Sequence, residues 1–251
     1  MNPYSDLLNT AQRDLEASII LHHTEKYPAA VFYYQQAVEK ACKFWGLSKQ
    51  LITWAEIRSI GHNPDKVFRI LFANFFQPYK KDAVSSYNEM FEDFCKNSNM
   101  DERIIKVCSE LHNITNNPVI PIGKDQSPVE AVEKYYKGNP KAIAPDIAKR
   151  IENLKSHSCP DEAALDFIRD TEDLCKMPAC LLMLSFIVFN TEQNARYPDF
   201  DKNIKPEDLY NKDVLLVKQL PFLFDMLNHN IKILHHYFID KYKEVTPFSK
   251  P

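Results

Sequence analysis

Residues 29–46 read AAVFYYQQAVEKACKFWG, and four of their side chains, Gln36, Glu39, Lys40 and Lys43, could meet a ligand or a partner protomer. Ammonium groups neutralise phosphate, a carboxylate accepts hydrogen bonds, and an amide does both. At helical spacing Gln36, Lys40 and Lys43 share a face, and Glu39 precedes Lys43 by four, the favourable order for an ion pair. The same residues also read as a surface pair that adds a few tenths of a kcal/mol to a packed helix. His62 could carry a proton, or it could serve structure beside a helix N-cap. For Arg196 and Tyr197 the alternatives are ligand contact, or a tyrosine packed under the Pro198 turn with the arginine tying down a carboxylate.

Metal chemistry finds little support. The doublets His22-His23 and His235-His236 project about 100° apart on a helix, with no cysteine or carboxylate at a ligand spacing beside them. His229 and His236 share a face, which makes a pair and not a site. The six cysteines contain no CxxC motif and read as free, mostly buried thiols. Tyr33-Tyr34 and Tyr135-Tyr136-Lys137 could stack on bases, although such pairs also form the core and rim of helical bundles.

The elements that position these residues are helical. Pro3 and Pro28 open two helices, the first with Leu8, Ala11, Leu15, Ile19 and His22 on one face through about residue 24. The second carries a buried stripe of Val31, Tyr34, Val38, Ala41 and Trp45, and Gly46 is expected to stop it. A third helix should begin near Asn63-Pro64 and run to about Pro78. Further helices are expected at roughly 82–97, 101–115, 128–137 and 144–155, then one or two helices over 161–192 bent near Pro178, and one at 207–243 with Pro221 starting or kinking part of it. Residues 116–128, rich in proline, form the clearest loop, and Val119-Ile120-Pro121-Ile122 is too short and proline-interrupted for a core strand. The fold class is all-α.

Composition narrows the function. Hydrophobic residues make up 45% of 251 and charged residues 26%, as in a packed globule. Only 4 glycines occur, far apart, which excludes the glycine-rich dinucleotide and phosphate loops. The formal charge of -3 means that any nucleic-acid surface must be a local basic patch. No signal peptide is evident, and the most apolar run, 179–189, is too short for a bilayer, so a cytoplasmic protein with no membrane contact is expected.

Four segments, in order, resemble the HEPN family (higher eukaryotes and prokaryotes nucleotide-binding domains). Residues 11–17, AQRDLEA, look like its opening-helix pattern, A-x-x-D-L-x-x-A. Residues 34–43, YQQAVEKACK, are close to the QQAxEKxxK pattern of its second helix. Residues 60–64, IGHNP, resemble its short G-H turn, and 195–199, ARYPD, resemble the segment before its last helix. The resemblance covers residues 1–72 and about 163–243, and divides the chain into core residues 1–72 and 163–251 with 73–162 as an inserted helical subdomain.

The resemblance implies an up-and-down four-helix bundle, commonly a homodimer, that binds RNA or nucleotide. It also implies a defence or toxin–antitoxin setting and a possible nucleotidyltransferase partner. It calls for no cofactor. The family's ribonucleases carry R-x(4–6)-H, in which histidine acts as acid or base and arginine stabilises phosphate charge, without metal. Here the one pair at that spacing is Arg150 and His157, inside the insertion. Arg196 has no histidine at 201–203, and Arg58 and His62 are one residue too close. These departures favour a non-catalytic binder over a metal-independent endoribonuclease. A helical protein-interaction adaptor is the third reading.

Overall fold

The computed structural model describes residues 3–62, 64–75, 80–96, 98–138, 145–189, 191, 195 and 205–240. The protein is all-α. The helices are α1 (Pro3–His23), α2 (Tyr27–Ser48), α3 (Trp54–Ile60), α4 (Asp65–Phe75), α5 (Lys80–Phe91), α6 (Met100–Asn116), α7 (Pro128–Gly138), α8 (Pro145–Lys155), α9 (Pro160–Ile187), α10 (Pro206–Leu209) and α11 (Leu215–His235). Wider π-helical turns extend α5 over Glu92–Lys96 and α11 over His236–Asp240. Two compact units emerge, one of residues 1–111 with 179–251, the other of residues 112–178. The second starts later and ends later than the 73–162 stretch set out from the sequence.

In the first unit α2 is the central element. It lies along α1 and also packs on α4 and α11. Its expected stripe is buried, and so are Ala37, Cys42, Phe44 and Leu47, so that from residue 37 to 47 every residue of α2 except Lys40 is buried. Gly46 does not stop the helix, which continues to Ser48. A Cβ there would stand 2.9 Å from both Ile52 Cδ1 and Val67 Cγ1, so the glycine serves the close approach of the following turn and α4. Trp45 stacks on Phe68 of α4 at 5.3 Å.

Proline shapes the joint between the first and last helices. Pro221 lies inside α11 and has no N–H for the carbonyl four residues back, that of Val217. His22 of α1 places Nε2 3.1 Å from this oxygen, and since a carbonyl only accepts, Nε2 carries the proton. The last expected helix, 207–243, is in fact two pieces. After the four-residue α10 the chain turns, with Asp213 N bonded to Asn211 Oδ1 at 2.9 Å, before α11 begins.

α3 was not expected, although its signal is present. Thr53 and Glu56 form a reciprocal capping box, Thr53 N–H donating to Glu56 Oε2 at 2.7 Å. Arg103 of α6 is buried and needs no carboxylate. Its guanidinium donates to the carbonyls of Phe94 (3.1 Å), Cys95 (2.9 Å) and Phe189 (3.2 Å), the first two in the π-helical turn after α5.

The second unit has its own small core of Ile120, Ala131, Val132, Tyr136, Ala164 and Ile168. Its loop is irregular, as expected, and is pinned by the Val119 N–H to Glu172 Oε1 at 3.2 Å. Lys176 links Thr115 O (3.3 Å) and Glu172 Oε2 (3.1 Å). Pro178 lies inside α9.

Asp65, at the start of α4, is buried, and its Oδ1 has no partner among the described residues. Burial raises its carboxyl above the ordinary value, partly offset by the N–H groups of Asp65 and Lys66 and by the charges of Lys66 and Arg69. An unfolded aspartate titrates at about pH 4. Above that, the folded state binds more protons than the unfolded one, so stability falls as pH rises through the folded value. Asp65→Asn should remove this loss. Its thermal midpoint at pH 7 should exceed that of wild type, and the difference should vanish below pH 4.

Candidate functional site

The polar residues of α2 stand at positions 35, 36, 39, 40 and 43, a single stripe along the helix. Gln36 and Lys40 are half-buried. Gln35, Glu39 and Lys43 are buried, and each finds partners within the first unit. Lys43 Nζ donates to Glu39 Oε1 and to the Gly61 carbonyl, both at 2.6 Å. Gln35 Nε2 donates to the His62 carbonyl at 3.3 Å and lies 3.5 Å from Glu39 Oε2. The same Glu39 oxygen is 3.1 Å from His62 Nδ1. An ionised carboxylate only accepts, so the proton of that contact sits on Nδ1.

The stripe continues toward α1. Gln36 Nε2 donates to Gln35 Oε1 at 2.8 Å, and Lys40 Nζ donates to Gln36 Oε1 at 3.1 Å and to Asp14 Oδ2 at 2.6 Å. One connected hydrogen-bond network therefore runs from Asp14 through Lys40, Gln36, Gln35 and Glu39 to Lys43 and the Gly61-His62 turn. The three N-terminal sequence segments AQRDLEA, QQAVEKACK and IGHNP meet in it. Gly61, at φ +61°, makes the reversal that carries both turn carbonyls toward α2.

Burial sets the electrostatics. Glu39 and Lys43 expose only 6% and 9% of their side chains, so the pair exchanges water for a low-dielectric surrounding and depends on its supporting donors and acceptors. Cys42 lies beneath, and burial first, then the charges of Glu39 and Asp65, push its thiol far up. It stays protonated and inert. His62 differs from its partners, with 61% of its side chain exposed.

The remaining candidates fall elsewhere. The Arg150 side chain, Arg196 and Tyr197 lie outside the described residues, so the ARYPD segment cannot be joined to the network. His157 is exposed in the second unit, where its Nδ1 accepts the Cys159 N–H at 3.2 Å. Tyr34 is buried and its hydroxyl donates to Leu223 O at 3.4 Å, while Tyr135 and Tyr136 pack on the core of the second unit. His235 Nε2 lies 3.1 Å from Asn9 Oδ1. Among the described residues no group of three or more His, Cys, Asp or Glu could hold a metal. All six cysteines are free, with Cys42, Cys95 and Cys180 buried, Cys108 half-buried, and Cys159 and Cys175 exposed rather than interior.

Two members of the network, Asp14 and Gln35, were not singled out by sequence. Gln35 precedes Glu39 by four, the spacing that makes contact on a helix, and Asp14 occupies the aspartate of the opening-helix pattern.

The pair is testable by a double-mutant cycle. Lys43→Met alone should cost about 3 kcal/mol in urea unfolding, because it strands a buried carboxylate. Adding Glu39→Gln should recover most of that loss, whereas strictly additive losses would show that the two side chains do not act as a pair.

No curated protein and no solved structure matches the chain. Among described helices none is long and apolar enough to cross a membrane. The family model described as "HEPN domain" matches residues 4–51, a stretch that contains α2 whole and all but the first residue of α1. Asp14 and every α2 member of the network fall inside that match, and over that stretch the helical pair α1–α2 is similar to the HEPN domain.

Proposed function

We propose that this protein is a HEPN-like, non-catalytic binder of RNA or of a nucleotide. It acts as a dimer, in a defence or toxin–antitoxin setting or beside a nucleotidyltransferase. The observation that carries the reading is the HEPN match over residues 4–51 together with the network that fills its polar stripe. Lys40 and Lys43 spend their charge on Asp14 and Glu39. His62 is the most exposed of the network's ion-paired side chains, at 61% against 21% for Lys40 and 16% for Asp14.

Support for the non-catalytic side comes from the arginine–histidine spacing. Arg150 and His157 form the one pair at the ribonuclease interval, and they belong to residues 112–178 and not to the unit that contains α1 and α2. His157 also has an ordinary structural occupation in accepting the Cys159 N–H.

A labelled oligoribonucleotide and a labelled nucleoside triphosphate, titrated separately, test the reading. At least one should bind saturably, more weakly as salt rises, and the RNA should stay intact through hours with chelator. Absence of saturable binding by both ligands would overturn the proposal, and metal-independent cleavage lost in His157→Ala would replace it with the endoribonuclease reading.

A further inference from the structure

The unit of residues 112–178 is charged unevenly along its length. Residues 128–155, which contain α7 and α8, hold six lysines and arginines against four acids, whereas residues 160–178 of α9 hold two against six. In a chain with a net charge of -3, α7 and α8 thus form a cationic stretch followed by an acidic one.

Packing turns the charge of α7 outward. Ala131, Val132 and Tyr136 belong to the core of the unit, with Val129 and Tyr135 packed against it. Lys134 and Lys137, three residues apart, share the opposite face of the helix, and both are exposed. In the Tyr135-Tyr136-Lys137 run the tyrosines are spent on packing, and the lysine faces solvent.

A third lysine joins them from α8. Lys137 Nζ lies 3.4 Å from Glu133 Oε2, and Lys155 Nζ lies 2.5 Å from Glu133 Oε1. One carboxylate therefore draws the ammonium groups of two helices to one place, one on each oxygen. Glu133 exposes 20% of its side chain, Lys137 79% and Lys155 54%, so the anion is the sheltered member and the cations face water. Among the described residues no second carboxylate pairs with either lysine, which leaves one positive charge of the three groups unmatched. The hydrogen bond from Lys155, above all, holds the Glu133 carboxyl below the ordinary carboxylate value, so this balance persists across the neutral range. Each ammonium keeps two N–H donors beyond the one given to Glu133.

We propose that Lys137 and Lys155, gathered by Glu133 and continued along α7 by Lys134, form a contact surface for the phosphate backbone of single-stranded RNA. This rests on the RNA-binding reading and narrows it to a chain of nucleotides, because an open set of cations neutralises repeated phosphates. The ammonium groups meet non-bridging oxygens and read no base. Glu133 is a positioning residue, and no covalent step is involved.

The test measures binding of a labelled oligoribonucleotide and of a labelled nucleoside triphosphate to the full chain across a range of salt concentrations. It also maps lysine reactivity by reductive methylation and mass spectrometry. Lys137→Gln with Lys155→Gln should weaken oligoribonucleotide binding about tenfold at about 0.1 M salt. The same variant should lower the slope of log affinity against log salt by about 1.4, the share of two phosphate contacts on a single strand. Lys137→Arg with Lys155→Arg keeps both charges and should keep the slope. RNA should protect Lys137 and Lys155 of wild type from methylation, a readout that a purely structural ion pair would not move. RNA binding with unchanged affinity and slope in the glutamine variant, and with no protection, overturns this inference and leaves the functional reading standing. Triphosphate binding without RNA binding also overturns it and keeps the nucleotide form of that reading. Absence of binding by both ligands removes the reading and the inference together. Protection that rises with protein concentration in the absence of RNA assigns this face to a second copy, with its acidic α9 as the complementary surface, and overturns the RNA contact.

Discussion

A charged pair inside the most buried helix governs the first unit. Glu39 and Lys43 sit where every residue of α2 except Lys40 is buried. An ion pair in such surroundings gains from attraction only if its remaining lone pairs and protons are also met. Gly61 O, His62 and Gln35 meet them here, so the turn between α3 and α4 cannot choose its own conformation. Its backbone is dictated by what the α2 pair requires. Asp14 is drawn in at the other end through Lys40 and Gln36, which couples α1 to a turn nearly fifty residues away in sequence.

This arrangement separates groups that look reactive from groups that can meet a ligand. Cys42 and Cys95 lie close to charged side chains, yet burial holds both thiols protonated, that of Cys95 pushed up to about 12. Tyr210 is likewise raised to about 12 by burial. Lysines of the α2 motif, which on paper form a cationic face, are internally neutralised. Charge that faces water lies on other elements, such as Arg13 of α1, Arg58 of α3 and Lys66 of α4.

Much of the scaffold was legible in the sequence. Pro3 and Pro28, with apolar positions three and four apart, marked α1 and α2, and the Glu39–Lys43 spacing foretold a real contact. The burial of that contact was not legible, because periodicity shows which face is apolar and not how many neighbours cover the helix. Gly46 misled for a related reason. Glycine after a helical run usually signals its end, but here it answers a close approach by Ile52 and Val67 that only tertiary structure creates. Thr53 and Glu56 carried a clear start signal for α3 that the shortness of the segment concealed. The limits of residues 112–178 were invisible, since both fall within continuous helical pattern, that of α6 and that of α9.

Pro221 and His22 act together as a key and lock for register. A regular helix offers the same closed row of hydrogen bonds at every height, so a neighbour can slide along it by a turn at small cost. The proline opens one carbonyl, and the imidazole of α1 is the donor that closes it. Shift α1 by one residue and that donor moves about 1.5 Å along the axis and about 100° around it, away from the single open acceptor. A missing N–H in the last helix thus fixes the height at which the first helix docks.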